Sequence, residues 1–284
     1  LVATGSPVLG GPGATTSPGA RFSRIAGEYA GVVGDYHVCG LHVHVGVPDR
    51  DTAVAVVNHL RPWLPALLAL SANSPFRHGA DTGYASWRMI DQSRFPGAGV
   101  PPRFASADAY DRQVAQLVEC GALIDDHMTF WLARPSPHLP TVELRVADSV
   151  ISVAEAALQA ALSRALVRTA LADLARGREA PALGDQLAAA ALWTAARYGL
   201  DGPAVHPVHK RRMPARRLVA ELIEHLTPAL AETGDLSAVR QGIATLDAAG
   251  TGARRQRAAA GAGPMGVLRM LAAETAGETP ADAR

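Results

Sequence analysis

Cysteine is scarce in this chain of 284 residues, which contains Cys39 and Cys120 and no others. Two thiols are too few for the disulfide frameworks that stabilise small secreted domains. We therefore expect both cysteines to be free and reduced, and we expect Cys39, which shares its side of a predicted strand with Leu41, to be buried. This cysteine usage predicts a cytoplasmic protein.

Long hydrophobic runs and an excess of charge of one sign are also missing. No stretch of about 18 apolar residues is free of charge and proline, so we predict no membrane span. The first residues have neither the basic nor the long apolar part of a signal peptide. The 27 basic residues, almost all arginine, nearly balance 26 acidic ones. The net charge of +1 gives no reason to expect a nucleic-acid partner.

The strongest pattern that is present is a strand over residues 38–47, where aliphatic side chains point to one face. His42 and His44 point to the other face, their Cβ atoms about 7 Å apart. Two imidazoles in this arrangement could both bind one metal ion, or one could bind a metal ion while the other contacts the ligand of that metal. The alternative is a pair of half-exposed histidines on the solvent face of a sheet.

A second alternating segment spans residues 141–147 and places Glu143 and Arg145 on its polar face. By itself this pair is equally typical of a surface ion pair that contributes little stability. Beside the histidine strand, however, it would supply a metal ligand and a phosphate-binding cation on one surface. A metal–nucleotide site requires this combination.

Further arginines lie in or beside segments that look irregular, namely Arg77, Arg88, Arg94 and Arg134. Ordered loops of this kind often carry binding residues. The alternative is that arginine is simply the usual surface cation of this chain. A small basic cluster, Arg254–Arg257, is interpreted as a solvated face.

The remaining segments change from mixed to helical along the chain. In the first part we predict a loop over 5–19, a short helix over 20–33, a proline-interrupted helix to about 72, an irregular stretch over 73–105, a helix over 106–120 and a strand near 129–133. Ser152 and Glu155 form a capping box before a helix of about 25 residues. Later helices are predicted near 182–197, 214–233, 236–248 and 264–276. This order predicts an α+β fold with helices packed behind an antiparallel sheet.

Several short motifs follow one another in a fixed order: His42–Gly46, Ser74-Pro75, Ala85–Arg88, Phe95-Pro96, Arg134–Ser136 and Thr141–Asp148. In this order and spacing they resemble the YbdK-like carboxylate–amine ligases, the type 2 glutamate–cysteine ligases. Arg197–Gly202 is similar to the C-terminal half of the same family. The resemblance covers nearly the whole chain, and several motifs in order are far more specific than any one of them.

The resemblance implies a sheet of the glutamine-synthetase type and a ligase reaction. In that reaction ATP phosphorylates the γ-carboxylate of glutamate, and an amine such as cysteine attacks the acyl phosphate, releasing ADP and phosphate. It also implies the following roles: His42 and Glu143 bind Mg²⁺ or Mn²⁺, His44 faces the ATP phosphates, Arg134 and Arg145 bind the nucleotide and stabilise the transferred phosphoryl group, and Arg88 binds phosphate or the substrate carboxylate. Phosphoryl transfer depends on positioning and charge neutralisation of this kind.

One part of the family pattern is missing from this sequence. The family opens with a strand carrying a Gly-Val-Glu-Glu-Glu motif, whereas Glu28 is the one glutamate before the histidine strand. One carboxylate and two imidazoles are few ligands for Mg²⁺, which prefers oxygen. We therefore expect residues 1–284 to form a single catalytic domain that lacks this N-terminal strand, with a flexible tail from about residue 277.

Two other functions stay open on the sequence. A metal-dependent amidohydrolase would bind a metal at His42 and His44 and would need later ligands such as His127 and Asp148. A non-catalytic relative would bind nucleotide without turnover, which the missing glutamates favour. The sequence leaves the amine acceptor and the existence of a homo-oligomer open.

Overall fold

The computed structural model describes residues 1–10 and 17–278 of the chain. The α-helices within these residues are α1 (Ala20–Tyr29), α2 (Gly31–Gly34), α3 (Arg50–Leu60), α4 (Leu64–Ser71), α5 (Trp87–Gln92), α6 (Ala107–Glu119), α7 (Val153–Ala175), α8 (Asp185–Tyr198), α9 (Ala215–Glu232), α10 (Leu236–Ala249), α11 (Gly252–Ala259) and α12 (Gly263–Ala276). The strands in the same residues are β1 (Gly40–Gly46), β2 (Phe76–Arg77), β3 (Ala80–Asp81), β4 (Ala98–Gly99), β5 (Phe130–Trp131), β6 (Ala133–Pro135), β7 (Thr141–Asp148), β8 (Pro203–His206) and β9 (Arg211–Pro214). The mixed first half and the helical second half confirm the predicted α+β class.

The main sheet has three antiparallel strands in the order β1-β7-β6. Both predicted alternating segments are strands of this sheet and are neighbours in it. Val43 pairs with Leu144, but Leu41 pairs with Ala147, which leaves one extra residue in β7 opposite His42. Such a β-bulge bends the strand and redirects the side chains beside it.

The aliphatic face of this sheet packs against α3, α4 and α7. Val142 and Leu144 of β7 are buried there, together with Leu60, Leu67 and Leu162 from the three helices. Burial of each such side chain contributes about 2 kcal/mol to stability. Because the helices occupy this face, the histidines and the glutamate of the alternating strands lie on the opposite face.

The helical stretch predicted after β1 consists of two helices. Asp49 caps α3 by accepting a hydrogen bond from the Thr52 backbone N–H at 2.7 Å. Pro62 interrupts the helix because it lacks an N–H, and Pro65 lies in the first turn of α4, where this lack costs little.

Among the described residues no single helix is long and apolar enough to cross a membrane, although α3 and α4 together, bent by 68°, meet that test.

The capping box predicted before the long helix is present at the start of α7. Ser152 Oγ accepts from the Glu155 N–H at 3.2 Å, and the Glu155 carboxylate accepts from the Ser152 N–H at 3.0 Å. The later helices α8, α9, α10 and α12 also match their predicted positions within a few residues. Helical periodicity over ten or more residues predicts such elements well because it repeats several times.

Short elements account for most of the differences. The helix predicted over 20–33 breaks at Ala30, which has a φ of 44°, and the strand predicted near 129–133 is the two pieces β5 and β6. The segment predicted to be irregular over 73–105 contains β2, β3, α5 and β4. Elements of two to six residues are too short for a hydrophobic period to be recognised.

A β-hairpin, β8–β9, lies between α8 and α9 and was not predicted. His206 supports its turn, because its Nδ1 accepts hydrogen bonds from the backbone N–H groups of Val208 and His209 at 3.2 and 3.0 Å. Lys210, the one lysine in the sequence, is exposed in this turn with a φ of 52°.

The prediction that Arg254–Arg257 forms a solvated face is wrong. This segment belongs to α11, where Gln256 is fully buried and Arg255 forms ion pairs with Glu155 and Glu274. Arg257 pairs with Asp81 at 2.8 Å. The Arg257 pair therefore attaches α11 to the first half of the chain, and the Arg255 pairs attach it to α7 and α12.

The predicted burial of Cys39 is also wrong, since this thiol is exposed and free, as Cys120 is. Cys39 precedes β1, an edge strand, and its neighbours do not cover it. Residues 279–284 of the flexible tail predicted from about residue 277 lie outside the described residues, as do residues 11–16 of the loop predicted over 5–19.

Candidate active site

Glu143 is the centre of a cluster of ionic side chains on the polar face of the main sheet. It lies on the middle strand β7, directly opposite His44 of β1 and Arg134 of β6. Opposed residues of antiparallel strands present their side chains on the same face. The register therefore brings together residues that are far apart in the sequence.

Both oxygens of the Glu143 carboxylate have partners. Oε1 lies 3.1 Å from His42 Nδ1 and 3.8 Å from His44 Nε2, and Arg145 Nη1 donates a hydrogen bond to it. Oε2 accepts a hydrogen bond from Arg134 Nε at 2.8 Å. Four of the five partners predicted to share this site thus surround one carboxylate.

The carboxylate stays ionised although it is hardly exposed. The Glu143 side chain is 6% exposed, and this burial raises its pKa. The hydrogen bond from His42 and the positive charges of Arg145 and Arg134 outweigh burial, so the pKa of Glu143 lies far below its ordinary value. The site therefore holds a fixed negative charge between two guanidinium groups.

Arg134 is fixed in place from the side opposite Glu143. Its Nη1 donates to the Thr129 hydroxyl at 2.8 Å, to the Thr129 carbonyl at 2.9 Å and to the His127 carbonyl at 3.1 Å. A guanidinium held at three acceptors loses little further freedom when it binds an anion. Thr129 had no sequence signal, because a single threonine in an irregular segment predicts nothing specific.

The two histidines form the accessible edge of the cluster. Their side chains are 37% and 35% exposed for His42 and His44, against 6% for Glu143. The Thr141 hydroxyl lies 2.9 Å from His44 Nδ1 and orients that ring. The face can therefore accept a ligand from solvent at the imidazoles while the carboxylate and the arginines stay ordered beneath.

Arg88 lies outside this cluster. It is 2% exposed, and its guanidinium donates to the carbonyls of Arg145 at 2.8 Å and Val146 at 3.1 Å, the two residues at the β7 bulge. Its Nη1 also lies 3.5 Å from the Asp148 carboxylate. The role in binding phosphate or substrate carboxylate stays a prediction, whereas the observed contacts support the bulge that carries Arg145.

Asp148 connects several of the sequence motifs in one buried network. Burial raises the pKa of this fully buried carboxyl group. It accepts hydrogen bonds from the hydroxyls of Ser74 at 2.7 Å and Ser86 at 2.8 Å, and from the Asn73 N–H at 2.9 Å. Motifs that are separated in the sequence thus converge on the end of β7.

The other two arginines singled out in the sequence form separate ion pairs. Arg77 pairs with Asp35 and lies 4.0 Å from Asp91, whereas Arg94 lies 3.0 Å from Asp91. Neither has a contact with Glu143 among the described residues. Among the described residues, no hydrogen bond or ion pair links His42 or His44 to His127 or Asp148, the later ligands that an amidohydrolase would need.

The metal-binding capacity of the cluster is limited. Across residues 1–10 and 17–278, no group of three or more His, Cys, Asp or Glu side chains has the arrangement of a metal site. Glu143 and His42 are the side chains of the cluster that could hold a cation here. Mg²⁺ commonly binds to nucleotide enzymes through one or two carboxylates in this manner.

Comparison with known proteins assigns the chain to a family. Residues 12–269 match the model of the glutamate–cysteine ligase family 2. A protein of Saccharopolyspora erythraea, provisionally named glutamate–cysteine ligase 2-2, is 64% identical over 97% of this chain and 71% of its own length. Provisionally named glutamate–cysteine ligases 2 of Nocardia farcinica and a Mycobacterium species are 50% and 47% identical over 85% and 84% of the chain.

The chain covers 63% and 66% of these last two relatives, so it spans about two thirds of their length. The family match nevertheless includes every residue of the Glu143 cluster. The resemblance based on the ordered motifs is confirmed. The chain belongs to the glutamate–cysteine ligase family 2.

Proposed function

We propose that the Glu143 cluster binds Mg·ATP and catalyses the ATP-dependent joining of the glutamate γ-carboxylate to an amine such as cysteine. The main support is the carboxylate of Glu143, held by two imidazoles and two guanidiniums on three adjacent strands. This set offers ligands for a divalent cation and two cations for phosphate oxygens. The family and the names of the relatives favour the same chemistry.

The reaction would take place in two steps, phosphorylation of the carboxylate and then attack by the amine. A γ-carboxylate oxygen of glutamate attacks the γ-phosphorus of ATP, the bond to the β-phosphate oxygen breaks, and ADP leaves. The amine nitrogen then attacks the acyl carbon, inorganic phosphate leaves, and the amine loses a proton. Both steps develop or move negative charge on phosphate oxygens.

The arginines provide the charge neutralisation for this transfer. Arg134 is anchored by Thr129, and the guanidinium of Arg145 is held by Glu143, so both guanidiniums are positioned before the substrate arrives. Preorganised donors of this kind stabilise a transition state without reorganisation. His44, oriented by Thr141, would face the phosphates.

A divalent cation would be held by Glu143 and His42. When bound, it would supply positive charge that neutralises the phosphates. The exposure of His42 gives the cation an open side for nucleotide and water. Mn²⁺ would tolerate the imidazole better than Mg²⁺, which prefers oxygen ligands.

The test is Mg²⁺-dependent ADP release from ATP, glutamate and a panel of amines that includes cysteine. Wild type and the Glu143→Gln variant are compared, each as the complete gene product. We expect the variant to lower kcat/KM by about two orders of magnitude or more, since it removes the charge that orders both arginines and the cation. Glu232→Gln, which changes an exposed glutamate in an ion pair of α9, is the matched control and should keep full activity.

Other outcomes would favour the alternative functions. ATP binding without ADP release for every amine would contradict the ligase and support a nucleotide-binding relative. Tightly bound zinc that is lost on replacing His42 and His44 would support a hydrolase. Equal activity of wild type and Glu143→Gln would show that Glu143 has no role in the mechanism.

A further inference from the structure

The turn of the β8–β9 hairpin is closed by one buried imidazole, that of His206. This residue is 5% exposed, and its Nδ1 accepts hydrogen bonds from the backbone N–H groups of Val208 and His209 at 3.2 and 3.0 Å. One backbone bond, from the Lys210 N–H to the His206 carbonyl at 2.8 Å, completes the turn. A ring nitrogen accepts hydrogen bonds only while it carries no proton. The observed turn therefore requires neutral His206.

The second nitrogen of the ring shows where the single proton of the neutral form lies. His206 Nε2 lies 3.0 Å from Glu221 Oε2 on α9, so Nε2 carries the proton and donates it to the carboxylate. The charged imidazolium would need a second proton, on Nδ1. That proton would point at two backbone N–H groups, which are donors as well. Protonation thus replaces two hydrogen bonds of the turn with a contact between three donors.

The hairpin itself surrounds this imidazole with cationic side chains. The His209 ring lies over the His206 ring with their centroids 4.2 Å apart, and Arg211 is the partner of His206 across the two strands. Lys210 is exposed in the same turn, and Arg212 is exposed next to Arg211. None of these last three cations has an ion pair among the described residues. A positive charge on His206 would therefore be repelled from the side of the turn.

Helix α9 supplies the opposing charge. Glu221 pairs with His206, but its other oxygen is shared with Arg217, whose Nε donates to it at 3.3 Å. Helix α8 also packs against β8, but no ion pair in the described part of the chain joins it to the hairpin. Burial and the charges of His209 and Arg211 outweigh the carboxylate, so the pKa of His206 lies below its ordinary value of about 6.5.

We propose that the β8–β9 hairpin is a pH-operated switch, closed while His206 is neutral and opened when its Nδ1 takes up a proton. Opening releases the turn that carries the exposed Val208 and Lys210. The switch is separate from the main sheet, because β8 and β9 form a sheet of their own. It goes beyond the proposed function, since it uses no residue of the Glu143 cluster.

The direction of the effect follows from proton binding. An open hairpin exposes the imidazole to water and binds the proton near the ordinary pKa, whereas the closed hairpin binds it less readily. The closed form therefore has its full stability above about pH 6.5 and loses it as the pH falls through the lower pKa of the closed hairpin.

Hydrogen–deuterium exchange of the Val208 and His209 backbone amides measures this opening. The complete gene product is followed from about pH 8 to about pH 5, the range in which histidine titrates. Each rate is expressed as protection relative to an unstructured peptide of the same sequence at the same pH. His206→Gln is the main variant, because its amide oxygen can accept hydrogen bonds but takes up no proton. His209→Gln, which removes the exposed imidazole beside it, is the matched control.

We expect the protection of both amides in wild type to fall by about tenfold or more across this range, with a slope of at most about tenfold per pH unit, because one proton is taken up. His206→Gln should show no dependence on pH, and His209→Gln should keep the fall. Protection in wild type that is constant with pH would overturn the inference. An equal fall in wild type and His206→Gln would also overturn it, since another group would then be titrating.

Glu221→Gln provides a second test, which applies even if His206→Gln leaves the hairpin open at every pH. The glutamine oxygen can still accept from Nε2, but the negative charge that favours the imidazolium is gone. The fall in protection should then extend to lower pH and become larger than in wild type. A fall identical to that of wild type would contradict the assignment of the switch to His206.

Discussion

Glu143 shows how one residue can carry charge where water is largely excluded. Burial alone would raise its pKa, but two guanidiniums and an imidazole lie around its two oxygens. The carboxylate also holds Arg134 and Arg145 beside each other, because their positive charges would otherwise repel. Removing one member of such a buried set costs more than the set contributes as a whole, because the others are left unpaired.

This arrangement predicts how stability depends on pH. The folded pKa of Glu143 is lowered below its unfolded value of about 4.3. The carboxylate therefore contributes stability above that value, and the contribution is lost as the pH falls through the folded pKa. At pH 7 we expect the free energy of unfolding of Glu143→Gln to be about 3 kcal/mol lower than that of wild type. Urea unfolding of both proteins across acidic pH should show this difference narrowing below about pH 4.3. A difference that stays constant would contradict the lowered pKa.

Much of the residue-level site could be predicted from the sequence. Period-2 alternation placed His42, His44, Glu143 and Arg145 on polar strand faces, and the structure brings all four together. Arg134 was singled out from the sequence only as one of four arginines near irregular segments, and its place at this site came from the family resemblance, because an arginine near Pro135 in a short strand has no period around it. The supporting Thr129 and Thr141 are defined by the pairing of strands, which a single sequence does not encode locally.

At the scale of elements, the bulge in β7 depends on a residue from another part of the chain. Arg88 of α5 donates to the carbonyls of Arg145 and Val146 and lies close to the buried Asp148. Gly40 leaves room for it, because a Cβ there would lie 2.4 Å from Arg88 Nη2. The position of Arg145 is therefore set by α5 as well as by its own strand.

Replacing this arginine should destabilise the fold. We expect Arg88→Met to lower the free energy of unfolding by about 3 kcal/mol, since the Asp148 carboxyl group loses its nearby cation. Adding Asp148→Asn should restore part of the loss, which urea unfolding would measure. Arg112→Met, an exposed arginine of α6, is the control and should change stability by less than about 0.5 kcal/mol. An equally small effect of Arg88→Met would exclude the supporting role.

At the scale of the whole molecule, the C-terminal helices are attached to the first half through α11. Gln256 donates to the Asn73 side-chain oxygen at 2.7 Å and to its carbonyl at 3.0 Å, and Asn73 in turn donates its backbone N–H to Asp148. The network that ends at β7 thus extends to the last quarter of the chain. The class of fold followed from the order of elements, but this attachment did not, because α11 looks like a solvated basic segment in the sequence.

Truncating this contact should weaken the whole domain. Gln256→Ala leaves the buried side-chain oxygen of Asn73 without its donor, which costs about 2 kcal/mol. We expect a single cooperative urea transition at a lower midpoint, with Gln241→Ala on the exposed side of α10 as a neutral control. A separate early transition would instead show that the C-terminal helices unfold on their own.

The scarcity of lysine has a chemical consequence for the acyl phosphate proposed as the intermediate. Such an intermediate acylates any nearby free amine. The cations around Glu143 are guanidiniums, which stay protonated at neutral pH and are poor nucleophiles. The one lysine of the chain, Lys210, lies in the β8–β9 hairpin, which is separate from the main sheet. If the cluster forms an activated glutamyl group as proposed, no lysine of the described main sheet would compete with the incoming amine for it.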